Sequence, residues 1–239
     1  LSGAPFRLDD ELRSTYQGTL LDLFTPFTLL CGLLSVAMMV LHGAAWLSIK
    51  AEAGPVRDRA RAIGGMAAIA APILFAAGWG FQRFGGMGYR LVSAAEPAAP
   101  SNPLHSLVTP EAGGWLINFQ AHPWMWIAPA LGFVGALLAF IGLRSGREAP
   151  AFAGSAASSL GIISTVGLAM FPIILPSSID VHSSLTVWNA SSSRTTLFIM
   201  LLVTVVLLPI VLAYTAWVYK VLWGRVGAET IAQSRHDFY

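Results

Sequence analysis

The sequence predicts an all-α polytopic membrane protein whose five transmembrane helices pack in a four-helix-bundle-like arrangement. Three observations lead there. Of 239 residues, 55% are hydrophobic and only 11% charged, with mean hydropathy +0.66, whereas soluble domains carry roughly a quarter charged residues. Five stretches are apolar over the roughly 20 residues that a helix needs to cross a bilayer. Small residues also recur every fourth position, at Ala128, Gly132 and Ala136 and again at Ala157 and Gly161, a spacing that lets helix backbones approach closely in lipid.

Residues 1–24 form a polar, acidic segment, and residues 25–239 form the helical domain. The first helix is predicted over 25–49, with Thr25 as its cap and Pro26 at the first helical position, where a missing N–H does no harm. The second covers 62–81 with Pro72 in its middle. The third covers 124–143, the fourth 152–175, and the fifth 197–222 with Pro209 inside it. Pro72 and Pro209 are expected to kink their helices, which bundles tolerate when neighbours satisfy the freed carbonyls. Pro172 and Pro176 are expected to halt the fourth. The connection 82–123 holds "AAEPAAPSNP", read as a flexible stretch, and "TPEAGGWLINF", read as a short amphipathic helix lying at the membrane interface.

Lysine and arginine set the expected orientation. Nine of them, from Lys50 through Arg57, Arg61, Arg144 and Arg147 to Arg225 and Arg235, fall on one side. Five (Arg7, Arg13, Arg83, Arg90 and Arg194) fall on the other. The first side is predicted to be cytoplasmic, with the N-terminus outside and the C-terminus inside. An outside start without a signal peptide or an initial Met suggests the later part of a longer protein.

Ionisable residues inside membrane helices are functional candidates by default. His42 is the clear case, either as a proton relay or cofactor ligand or as an imidazole hydrogen-bonded to a neighbouring helix. No second ligand stands at useful spacing, and haem or copper ligation needs paired ligands facing one cavity. Cys31 is the single cysteine, so neither an internal disulfide nor a thiolate cluster is available. No phosphate-binding, dinucleotide or nucleophile-elbow motif occurs, and no basic stripe suits nucleic acid. The serine-rich connection "PSSIDVHSSLTVWNASSSRTTL" carries Asp180, Trp188 and Asn189. Asn189 is expected to cap the last helix and Trp188 to sit in the aromatic belt.

The run "GLAMFPIILPSSIDVHSSLTVWNASSSRTTLFIMLLVTVVLLPIVLAYTAWVYKVLWGRV" resembles the C-terminal signature of subunit II of the cytochrome bd-type quinol oxidases. "LLDLFTPFTLLCGLLSVAMMVLHGAAWLSIK", "SNPLHSLVTPEAGGWLINF" and "WIAPALG" are similar to that family in order and spacing. The likeness covers essentially the whole chain but only the later part of the family's subunit, with about four earlier helices not represented. Where the family pattern reads "VWDASSS", this chain has Asn189, so a role requiring negative charge at that position is not carried over.

The resemblance implies an accessory subunit of a quinol oxidase in the bacterial inner membrane, beside a subunit I that holds two haems b and one haem d. Quinol is then the substrate, dioxygen is reduced to water electrogenically, and this chain binds no cofactor itself. Subunit I, membrane lipid and quinone are the implied partners, and the family leaves room for a small single-helix subunit. His42, Asp180, Trp188 and Asn189 are the residues that could serve a proton path or an interface. On the residues alone, a transporter or channel component and an assembly subunit without redox role stay open.

Overall fold

The computed structural model describes residues 1–93, 102–221 and 224–225; the "AAEPAAPSNP" segment lies mostly outside them. Its helices are α1 (Pro26–Lys50), α2 (Pro55–Phe84), α3 (Ile117–Ala121), α4 (Ile127–Ser145), α5 (Glu148–Met170) and α6 (Arg194–Val221). Five of these, all but α3, are long and apolar enough to cross a membrane. Short antiparallel pairs join at one end of the bundle: β1 (Phe6–Leu8) with β2 (Ser14–Tyr16), β3 (Tyr89–Ser93) with β4 (Leu107–Pro110), and β5 (Ile173–Leu175) with β6 (Leu185–Thr186).

Capping explains where the helices start. The Thr25 hydroxyl accepts from Thr28 N at 3.2 Å, and Pro26 opens α1. Pro55 opens α2 seven residues before the expected start, because the charged turn "PVRDRAR" continues the helix beyond its apolar part. At 1.5 Å per residue, α2 spans about 45 Å, so its first turns project past the hydrocarbon layer. Hydropathy finds the buried length of such a helix, not its ends. Pro72 and Pro209 both lie inside continuous helices.

The fourth predicted helix is displaced: it starts four residues before the expected 152, at Glu148, and ends five residues before the expected 175, at Met170. A residue before proline is pushed out of the α region, and α5 accordingly ends at Met170, with Phe171 extended ahead of Pro172. Residues 173–175 then form β5 instead of a last helical turn.

Helices α1, α2, α4 and α5 make the four-helix bundle, and α4 and α5 pack most closely. Their glycines face each other's backbone. A Cβ at Gly161 would fall on Gly132 N and within 2.7 Å of Ala128 O; one at Gly135 would fall on Ser158 N and within 2.8 Å of Gly154 O. Gly154 meets Ala139 N in the same way, and Gly142 meets Ala151 N. The Ser158 hydroxyl crosses this seam to donate to Gly132 O at 2.9 Å. The small-residue repeats therefore serve contact within the chain. Leu41, Ala45, Ala67, Ala68, Ala139, Leu143 and Ala151 complete the core beside it.

Helix α6 behaves differently, since none of its residues is buried. It meets the bundle chiefly near its C-terminal end, where Tyr219 stands edge-on to Trp46 at 5.8 Å.

Substituting Gly135 or Gly161 by Ala is expected to lower bundle stability by about 1–3 kcal/mol, the usual cost of overpacking. Gly43→Ala, whose Cβ would meet nothing within 4 Å, is expected to be neutral or up to about 1 kcal/mol stabilising through helix propensity. Thermal melts of the three variants in one detergent check this; equal melts at all three positions would remove the seam from the account.

Candidate functional site

Apart from helix hydroxyls such as Ser48, Ser158 and Thr165, which bond to helix carbonyls, two places among the described residues stand out as candidate sites. The larger is the cap made by the serine-rich connection. There Ser177, Ser183, Ser184, Thr186 and Asn189 are all buried. Their hydrogen bonds go mainly to backbone. Ser177 Oγ donates to Phe6 O at 2.5 Å and accepts from Asp180 N at 3.1 Å, Ser183 Oγ accepts from Leu8 N at 2.9 Å, and Ser184 Oγ accepts from Ser177 N at 3.0 Å. Ala4 and Ser177 form a bridge, with Ala4 N donating to Pro176 O at 3.0 Å. The hydroxyls thus fasten the N-terminal hairpin β1–β2 onto the connection.

Asp180 is an anchor of this cap. Its carboxylate accepts from Ser183 Oγ at 2.7 Å and His182 N at 3.1 Å, and lies 3.7 Å from Arg7 Nε. Partial burial by itself would raise its pKa, but the Ser183 and His182 donors with the Arg7 charge bring it below the usual carboxylate value.

Asn189 sits elsewhere than expected. It does not cap α6: Ser193 does, its Oγ accepting from Thr196 N at 3.3 Å and its carbonyl from Leu197 N at 2.9 Å. Asn189, 1% exposed, folds back so that Oδ1 accepts from Thr186 N at 2.7 Å and Nδ2 donates to Ser106 Oγ at 2.8 Å. Two connections that are 83 residues apart are pinned by this one amide. A cap and an inward tie look alike in sequence, because both need Asn after an extended stretch. Trp188 beside it is exposed, with its ring edge-on to Phe171 at 6.0 Å.

The "TPEAGGWLINF" segment is also corrected. Residues 107–110 are strand β4, and Gly114–Leu116 is a 3-10 turn leading into α3. Trp115 and Phe119 are each 1% exposed and pack with Tyr89, Val108, Met125 and Ile173. They close the bundle's end instead of lying on the lipid. The side chain of Asn118 holds them there by donating to Leu168 O at 2.9 Å and Phe171 O at 2.5 Å.

The second polar place is His42 on α1. Its Nδ1 lies 2.9 Å from Ser155 Oγ on α5, and its ring stacks obliquely on Phe152 at 4.9 Å. Ser155 has a single proton, directed to Phe152 O at 2.8 Å, so the pattern assigns the Nδ1 proton to His42 and leaves Nε2 as the acceptor. His42, Asp180, Trp188 and Asn189 do not converge. Asp180, Trp188 and Asn189 share the cap, and His42 stands on a membrane helix among α1 and α5 side chains. Among the described residues, no three of His, Cys, Asp and Glu gather closely enough to hold a metal ion. Sequence reasoning missed Ser106 and Ser155 as partners, because serine carries no spacing signal of its own; the serines of the 176–197 connection satisfy backbone amides as their number in that stretch leads one to expect.

Known proteins match this sequence along nearly all of its length. The family described as cytochrome bd terminal oxidase subunit II matches residues 1–222. The chain is similar to "Cytochrome bd-I ubiquinol oxidase subunit 2" of Escherichia coli K12, 41% identical over 239 residues. It is also similar to "Probable cytochrome oxidase subunit 2" of Haemophilus influenzae, 39% identical over 239 residues. All of this chain is covered in both cases, and it spans 63% of the length of each relative.

Asn189→Ala leaves the Thr186 amide and the Ser106 hydroxyl buried without partners, and is expected to lower stability by about 2–4 kcal/mol; chemical denaturation in detergent measures it. Asp180 supplies acid sensitivity. Because its folded pKa lies below its unfolded value of about 3.9, its contribution is complete above that pH and is lost as pH falls through the lower folded value. Cleavage of the 176–184 segment by an acid-active protease should therefore rise below about pH 4 in the wild type. In Asp180→Asn the segment should be looser at neutral pH and show no further acid step.

Proposed function

The chain belongs to the cytochrome bd terminal oxidase subunit II family, and we propose that it is an accessory membrane subunit of a quinol:oxygen oxidoreductase. The single observation that carries this reading is α6. It is a 28-residue apolar helix with no buried residue, attached to a bundle whose own small-residue seam is already filled. A hydrophobic helix gains nothing from water exclusion in lipid, so its partner must offer shape. We assign that partner to the haem-bearing subunit I.

In the assembled enzyme, quinol is oxidised and dioxygen reduced to water, with haems b and d supplying the electron-transfer chemistry when bound. Placing them in subunit I is supported by packing here. Helices α4 and α5 touch backbone to backbone along Gly132, Gly135, Gly154 and Gly161, which leaves no slot for a tetrapyrrole between them. His42 has its Nδ1 occupied by Ser155 and a ring already against Phe152, and no second ligand faces it from the described residues. Among the described residues, neither the α4–α5 seam nor the surroundings of His42 suit a haem.

We place the bundle end that carries Lys50 and Arg57 in the cytoplasm and the strand-built cap on the outer side of a bacterial inner membrane, because basic residues gather at the former. In that orientation Asp180 and Asn189 hold the outer cap together, and Trp188 stands at the outer headgroup level as an interface residue. His42, bonded through Nδ1 to Ser155 within the inner leaflet, is the membrane-helix residue we propose as a candidate for a proton path. A transporter reading is not favoured, since conduits place polar groups near the midplane and the α4–α5 seam is sealed.

Purification of the full-length protein in mild detergent, followed by a reduced-minus-oxidised spectrum, tests the proposal. Co-migrating b- and d-type haem bands and a second polypeptide are expected. A colourless species that migrates alone would overturn it.

A further inference from the structure

At the bundle end opposite the cap, two arginines meet one carboxylate and a third lies beside them. Glu148, in the first turn of α5, receives Arg57 from the first turn of α2 and Arg225 from beyond α6, the latter at 2.9 and 2.8 Å to its two oxygens. Arg61, one turn along α2, donates to Gly146 O at 3.2 Å, and its guanidinium lies over that glycine. Arg61 and Arg225 are both within Coulombic reach of Arg57. The Nε atoms of Arg57 and Arg61 are buried without a hydrogen-bond partner. The Arg57 and Glu148 side chains are 11% and 20% exposed, whereas that of Arg225 is 49% exposed and opens the cluster outward.

Local charge does not balance. Asp58 is the other acid beside Arg57, and this end as a whole holds eight described Lys and Arg against Glu52, Asp58 and Glu148. Three guanidiniums beside the two carboxylates Glu148 and Asp58 leave an excess of positive charge, and its repulsion is strongest where water is thinned. Guanidinium is also the group whose planar fork matches a phosphate bidentately. The cluster sits where α2 leaves the hydrocarbon layer, at the depth of phospholipid headgroups, and basic pockets between helices at that depth are the known setting for anionic lipid heads.

We infer that the Arg57–Arg61–Arg225 cluster is a binding site for the phosphate of an anionic phospholipid, which offsets the excess positive charge beside Glu148 and reinforces the attachment of the C-terminal end of α6 to the bundle. The ligand chemistry is a phosphodiester anchored by acyl chains, as in phosphatidylglycerol. The exposed edge of Arg225 and the guanidinium of Arg61 supply its donors, with Arg57 held in place by Glu148. A lipid there ties α2 and α5 to Arg225, next to Gly224, whose carbonyl lies 3.3 Å from Lys50 Nζ.

The test uses the full-length protein purified with its companion subunits, with haem content read in parallel so that loss of lipid is not mistaken for loss of a partner. After delipidation, the complex is titrated with phosphatidylglycerol, with phosphatidylcholine and with inorganic phosphate, and bound lipid is counted by native mass spectrometry alongside the melting temperature. Phosphatidylglycerol is expected to bind and raise the melting temperature, while phosphatidylcholine and inorganic phosphate do neither. Arg61→Gln and Arg225→Gln should each weaken phosphatidylglycerol retention about fivefold, with Arg225→Lys partly restoring it and the exposed Arg59→Gln leaving it unchanged. Equal stabilisation by phosphatidylcholine would overturn the site, and so would full stabilisation by inorganic phosphate alone. Unchanged lipid retention in both Gln variants would do the same. If a Gln variant fails to assemble, the wild-type comparison of the three additives still decides.

Discussion

The contact on which everything else depends is the meeting of α4 and α5 backbones across glycine. In lipid the tails are as apolar as any leucine, so helices associate by shape and by a few hydrogen bonds. Gly135 against Ser158 and Gly161 against Gly132 bring two helices closer than any side chain would permit, and the Ser158 hydroxyl bonds across at that distance. Once this pair is formed, Leu41, Ala67 and Ala68 of α1 and α2 have a surface to pack on. The same contact fixes what is left over. With the small residues turned inward, the bundle presents Leu, Ile, Val and Phe outward, and α6 stands beside it with no face covered.

The ends of the bundle are finished by different chemistry. At one end, serine hydroxyls and the Asn189 amide satisfy backbone groups where the chain leaves the helices, which allows strands and turns to lie over the apolar core formed by Trp115 and Phe119. At the other end arginines act in place of hydroxyls, and Glu148 collects two of them. The cap rests mainly on neutral hydrogen bonds, with the Asp180 carboxylate as a charged anchor, whereas the opposite end is held by arginine ion pairs. That asymmetry fits a subunit whose two sides face different aqueous phases.

Much of the frame was legible in the sequence. Hydropathy located the five spans because a membrane helix must be apolar over its whole crossing, and Thr25 with Pro26 fixed the start of α1. The limits of that reasoning are physical. Charged turns continue α2 at Pro55 without any hydropathy signal, and Pro172 ended α5 earlier than a count of apolar residues suggested. Asn189 matched a helix cap locally, but its side chain turned to Ser106, a partner 83 residues away that no local pattern reveals. The small-residue repeats showed that helices meet, not which ones. Arg57, Glu148 and Arg225 lie far apart in sequence, and only the folding of α2, α5 and α6 brings them together. The lone Glu in "RSGREAP" was the one hint available.

The central claim is that the bundle closes on itself and leaves α6 to a companion polypeptide. Photo-crosslinking in native membranes addresses it most directly, with a benzophenone amino acid placed in the full-length protein at Val206 and Leu212 on α6 and, for contrast, at Leu160 on the exposed face of α5. The account predicts a crosslinked product containing a second polypeptide from at least one α6 position. Adducts confined to lipid or to the chain itself at both α6 positions would contradict it.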